Sequence, residues 1–201
     1  MREFIDNISD RMLLWSMKGN EVSQIDGIVL CDIRKRGDSF RPTIERALQL
    51  IRQHDLRRYG RVQQHISRIA NQILKPGTFA EYHFRLRTVF IEFDDFPRVS
   101  SDVRAAFYAC ALIHEATHGE LAAKGIVTTA ENRGRIERLC VTEQNRFAAR
   151  LAAEDGRYKL RQVDFKESYW SEAWNTGHLK QATSMLWRTV TDTKPKQNDD
   201  A

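Results

Sequence analysis

The sequence predicts an α+β chain, mainly helical, with a small β-sheet beside one long central helix. Three observations carry that reading. Apolar or small residues recur at helical spacing through Val103, Phe107, Cys110, Thr117 and Leu121. A second helical stripe follows at Ile136, Leu139, Cys140, Phe147 and Leu151. Between Thr78 and Phe96, Tyr82, Phe84 and Leu86 alternate with His83, Arg85 and Arg87, the period of a strand.

In chain order, Ile5, Ile8, Met12 and Trp15 space a helix from Phe4 to Met17, closed by Lys18-Gly19-Asn20. Ile28-Val29-Leu30-Cys31, within Ile25 to Ile33, reads as a strand between Gly27 and the basic turn ending at Gly37-Asp38. Ser39-Phe40-Arg41-Pro42 opens a helix with Ile44, Ala47, Leu48 and Ile51 inward. Val62, Ile66, Ile69 and Ile73 predict another helix, stopped by Lys75-Pro76-Gly77. In the β segment the apolar phase shifts to Val89, Ile91 and Phe93. That requires a bulge or a turn near Arg87-Thr88, so one bent strand or a short hairpin, ended by Asp94-Asp95 and Pro97. The long helix runs from about Val103 to Lys124, with Ser101 as N-cap, Asp102 in its first turn and Gly125 as C-cap. Thr128 to Glu131 fits a capping box for a helix ending near Asp155-Gly156. Tyr158 to Phe165 carries no single pattern. Tyr169, Trp170 and Trp174 form an aromatic cluster, and Leu179, Ala182, Thr183, Leu186 and Val190 space a last helix begun near Thr176-Gly177. One domain over 1–190 and a disordered tail over 191–201 follow from this division.

The chemistry lies in the long helix. Ile113-His114-Glu115-Ala116-Thr117-His118-Gly119 contains His-Glu-x-x-His. Four residues separate the histidines, so both imidazoles leave one face, one above the other. Two ligands to a tetrahedral Zn²⁺ on one helix need that geometry. Glu115, one residue further round, is placed to act as general base on a water rather than as a ligand. The alternative is two histidines on an ordinary buried helix, where they and Glu115 would be costly without a partner. A third ligand is required, and the next helix offers Glu143, in the middle of its apolar stripe. A carboxylate there is on a metal, protonated, or paired by bridging to an arginine such as Arg146 or Arg150. Glu137 is the other carboxylate candidate, and Cys140 the thiolate candidate. His54, His65 and His83 have no partner ligand spaced near them and read as structural.

The combination of His-Glu-x-x-His with a Glu on a following helix resembles zinc peptidases of the gluzincin group. Thr142-Glu143-Gln144-Asn145-Arg146-Phe147-Ala148-Ala149-Arg150-Leu151 resembles the second signature of the ImmA/IrrE-like metallopeptidases, and the likeness spans roughly Phe84 to Leu151. It implies a zincin-like fold, His114, His118 and Glu143 as zinc ligands, and Glu115 as base. Gln144 stands where that family usually has a small residue, and Ala116-Thr117 where Ile-Gly is common. The likeness also implies a strand bordering the cleft that pairs with an extended peptide. It implies a downstream oxyanion stabiliser as well, for which Tyr158, Tyr169 and His178 are the candidates. The substrate it implies is a peptide or protein, with a transcriptional regulator among the expected partners.

Composition narrows the rest. Net charge is +5, with basic clusters at Arg34-Lys35-Arg36, at Arg57-Arg58 with Arg61, and at Arg133, Arg135 and Arg138. No aromatic residues interleave with them, which disfavours nucleic acid and leaves a solvated face or an acidic partner. Cys31, Cys110 and Cys140 are odd in number and include no CxxC pair, which argues against a disulfide framework and a zinc ribbon and points to a reducing, cytoplasmic compartment. Met1 to Asp6 lacks the pattern of a signal peptide, and the apolar run from Ala105 to Ile113 is too short to span a bilayer. The function expected is a zinc metallopeptidase. The alternatives are a catalytically inactive zinc-binding regulator or an exported effector peptidase.

Overall fold

The computed structural model describes residues 2–75, 78–94, 99–160 and 162–165, with the side chains of 2–9 and 37 outside that description. These residues form helices α1 (Arg2–Lys18), α2 (Gly37–His54), α3 (Leu56–His65), α4 (Ser101–Ala123) and α5 (Arg133–Glu154). The strands are β1 (Glu21–Ile25), β2 (Ile28–Asp32), β3 (Arg68–Asn71), β4 (Ala80–His83) and β5 (Thr88–Ile91). The architecture is α+β and mostly helical, with one mixed sheet in the order β1-β2-β3-β5-β4. The three central strands are parallel, and an antiparallel strand closes each side. Tyr169, Trp170, Trp174, His178, the last predicted helix, the domain limit at 190 and the tail over 191–201 lie outside the described residues.

Both faces of the central strands are covered, as parallel strands require. Leu30, Ile69, Val89 and Ile91 point into the main core, which they share with Phe40, Ile44 and Ile51 of α2, Tyr108 and Leu112 of α4, and Phe147 and Leu151 of α5. Cys31, Ala70 and Phe90 alternate to the other face and meet Met17 of α1. α4 touches α2, α3, α5 and β4. Among the described residues no helix is long and apolar enough to cross a membrane.

The structure sharpens several expectations. The phase shift in the β segment resolves as a hairpin, β4 to β5, turning through Arg87 at φ 48°. The helix predicted through Val62, Ile66, Ile69 and Ile73 ends at His65. Arg68–Asn71 becomes the middle strand of the sheet, paired on both sides, and Ile73 is exposed. Two ladders of backbone hydrogen bonds outweigh the short helical period of Val62, Ile66, Ile69 and Ile73. β1 was not foreseen. Asp26 and Gly27, at φ 46° and 87°, make the tight turn that joins it to β2.

Capping fixes the helix that matters most. Ser100, not Ser101, caps α4, accepting from the Val103 N–H at 3.3 Å. At the other end Gly125, at φ 77°, closes a Schellman motif, with Ile126 N–H on the Leu121 carbonyl and Gly125 N–H on that of Ala122. The capping box expected from Thr128 to Glu131 does not form on α5: Thr129 and Asn132 bond reciprocally in the turn before it, and Asn132, the N-cap, gives the helix no side-chain cap.

Gly119 lets α4 press against the hairpin. A Cβ there would stand 2.8 Å from the His65 Cβ and 2.9 Å from the Tyr82 ring, while the Tyr82 hydroxyl donates to the His65 carbonyl at 2.8 Å. Gly119→Ala is therefore expected to destabilise the chain by about 1–3 kcal/mol through overpacking. Urea unfolding should show a lower midpoint at unchanged slope; an unaltered midpoint would contradict this packing.

Candidate metal centre

α4 presents His114 and His118 one turn apart, and their Nε2 atoms lie 3.2 Å from each other. α5 faces them with Glu137 and Cys140, also about one turn apart. Oε2 of Glu137 is 3.3 Å from His114 Nε2 and 3.6 Å from His118 Nε2. The point equidistant from those three atoms is about 2.0 Å from each, the length of a Zn–N or Zn–O bond. Donor atoms of His114, His118 and Cys140 lie within 4.8 Å of one another, and this cluster could hold a metal ion.

Gln144, one turn beyond Cys140, completes the arrangement. Its Oε1 is 3.2 Å from His114 Nδ1. The amide oxygen can only accept, so the Nδ1 proton faces Gln144 and Nε2 is left as the donor to a metal.

The electrostatics follow from burial. Burial disfavours the His114 cation, but Glu137 and Glu115 outweigh it and raise the group above the ordinary histidine range. Burial likewise acts to raise the Glu137 carboxyl, yet His114 and His118 hold it well below the usual carboxylate range. Glu115 is 7 % exposed, and no hydrogen bond or salt bridge among the described residues ties its carboxyl down. Desolvation raises it, with the two histidines opposing and Glu137 and Glu81 adding. Burial, Glu137 and Glu115 push the Cys140 thiol up.

Glu143 is not brought to the histidines. Its carboxylate bonds to Arg61 at 2.9 Å, Arg58 at 3.2 Å and Arg146 at 2.8 Å. Burial would raise it, but these guanidiniums hold it below the ordinary range. The inward stripe of α5 is Ile136, Glu137, Cys140, Val141, Phe147, Ala148 and Leu151, while Leu139 is 45 % exposed. Counting Leu139 inward turns the helix toward Glu143. The true stripe selects Glu137, and its spacing to Cys140 and Gln144 was the available signal. Arg61 also meets Glu120 at 2.5 Å and donates to the Thr117 hydroxyl at 3.2 Å, so α3 braces both helices of the site.

Tyr158 does not reach the site. It is buried, and its hydroxyl accepts from Arg46, which also pairs with Asp102 in the first turn of α4. That is on the order of 18 Å along the helix from His114. His54 pairs with Glu154 at 2.5 Å and His83 with Asp10 at 3.2 Å. Tyr169 and His178 lie outside the described residues. Comparison with known proteins found no matching family model, no matching curated protein and no matching solved structure.

Two substitutions separate the carboxylates. Glu137→Ala should weaken metal binding by about 100-fold or more. Glu143→Ala should leave affinity within about threefold while lowering stability by about 1–3 kcal/mol, because Arg58 and Arg61 lose their partner. Gln144→Ala should lower affinity by about 10- to 100-fold, with Gln144→Glu restoring it. Competition against a chromophoric chelator reads all three, and the reverse order for Glu137 and Glu143 would reassign the ligand.

Proposed function

We propose that this chain is a zinc-dependent peptidase with a zincin-like fold, in which His114, His118 and Glu137 hold the ion and Glu115 is the general base. The observation that carries the reading is the triangle of donors at 3.2, 3.3 and 3.6 Å, with a buried, untethered carboxyl beside it. This keeps the gluzincin plan of two helix-borne histidines and an acid from the following helix, with Glu137 in the role that the ImmA/IrrE-like likeness gives to Glu143.

A divalent cation bound there supplies Lewis-acid polarisation of a scissile carbonyl and lowers the pKa of a water. Glu115, desolvated and raised, accepts a proton from the attacking water and passes it to the departing amine. Gln144 keeps the His114 ring turned with Nε2 toward the ion. β4 is the edge strand beside α4, so its outer backbone groups can pair with an extended peptide. The substrate class is a peptide or an extended protein segment, and a transcriptional regulator is the first candidate to try.

A metal-holding interaction protein without activity is the second reading, favoured by the nearness of Cys140, a further donor. Cleavage of an unfolded protein substrate decides between them. The wild-type chain should bind one zinc and cleave, and a chelator should stop it. Glu115→Gln should slow cleavage by about 10²–10⁴-fold with zinc retained. Cleavage by Glu115→Gln at the wild-type rate would remove the base from the mechanism.

A further inference from the structure

We propose that Cys140 is a fourth donor to the ion held by His114, His118 and Glu137, and that it closes the coordination sphere and leaves the peptidase at rest. The inference rests on the metal-site reading above and concerns what fills the position that three protein ligands leave open.

The ground is geometric. Each helix offers a pair of donors about one turn apart, His114 and His118 on α4 and Glu137 and Cys140 on α5, and the pairs face each other. The Cys140 sulfur lies within 4.8 Å of the donor nitrogens of both histidines. A tetrahedral ion sets a sulfur donor about 3.6 Å from its nitrogen donors, so the closure left to make is at most about 1.2 Å. Cys140 has no exposed surface and forms no disulfide among the described residues. Glu137 faces the same two histidines, and Glu115, beside His114 in α4, is buried as well. A site with four protein donors is saturated, and the fourth of them is the softest, which favours zinc or cobalt over magnesium.

The chemistry balances without a co-reactant. The thiol proton leaves to solvent as the sulfur–metal bond forms, and it returns from solvent when the sulfur departs. The resting and open forms therefore differ by one bond and one proton. Departure of Cys140 opens the position that a reactant needs, beside Glu115. Cys31, on the far face of the sheet with Met17 and Phe90, plays no part.

Cobalt(II) substitution tests this on the whole chain. The wild-type protein should bind one cobalt and show a near-ultraviolet sulfur-to-cobalt charge-transfer band. Cys140→Ala should bind one cobalt without the band, and its zinc form should cleave about tenfold faster, the gain expected if the open form is about a tenth of the wild-type population. Cys140→Val, closer in volume, should behave as Cys140→Ala does. Wild-type protein that binds cobalt without the band overturns the proposal and leaves the three-donor site standing. A band with no gain in rate for either variant overturns the resting role. Failure of the wild type to bind cobalt overturns the site itself, and the proposal with it.

Discussion

The seating of α4 against α5 is the contact on which the rest depends. It buries two imidazoles, two carboxyls and a thiol between helices, a cost that polar groups repay only when each finds a partner. Within the pair, His114 and His118 find Glu137, and Gln144 finds His114. Phe147, Ala148 and Leu151 continue the same face of α5 into the main core. The apolar part of the stripe thereby fixes the rotation of α5, and that rotation alone decides which carboxylate meets the histidines.

Charge supplies the bracing around that seam. Arg61 reaches Thr117 and Glu120 on α4 and Glu143 on α5. Arg58 joins Glu143 to the buried Asp55 that caps α3, accepting from the Arg58 N–H at 3.0 Å. Burial would raise the Asp55 carboxyl, but Arg58 and Arg150 hold it below the ordinary range. Buried charges of this kind serve geometry better than they serve stability. Here they hold three helices in register around the donors, while Gly119 lets the hairpin close in from the other side.

Much of this was legible in the sequence, and the failures have physical causes. The long helix could be read because its caps and its histidine spacing agree: Gly125 and the four-residue interval each need an α-helix. The hairpin announced itself through the change of apolar phase at Arg87-Thr88. β3 was hidden, since Ile66 and Ile69 suit a helix as well as a strand and only the neighbours β2 and β5 decide the matter. β1 carried the Asp26-Gly27 signal, but its own residues, Glu21, Val22, Ser23 and Gln24, are weakly apolar. At the centre, the second helix does bring a carboxylate to the histidines, that of Glu137. Leu139, an exposed leucine, made the wrong face look buried and drew the choice to Glu143. Glu143 is answered instead by Arg146, the alternative partner that its i,i+3 spacing offered, and by Arg58 and Arg61, more than eighty residues away, which no local pattern reveals.

Asn145 carries one more implication. Its side-chain amide donates to the Val163 carbonyl and accepts from the Val163 N–H, both at 2.8 Å, in the manner of a neighbouring strand. The chain after α5 is thus laced back along the helix that bears Glu137, and Tyr158 is sunk in the core on the way. A shortened version ending at Glu154 would strip that lacing and leave a hole where the tyrosine was. The smallest piece worth expressing extends past Val163.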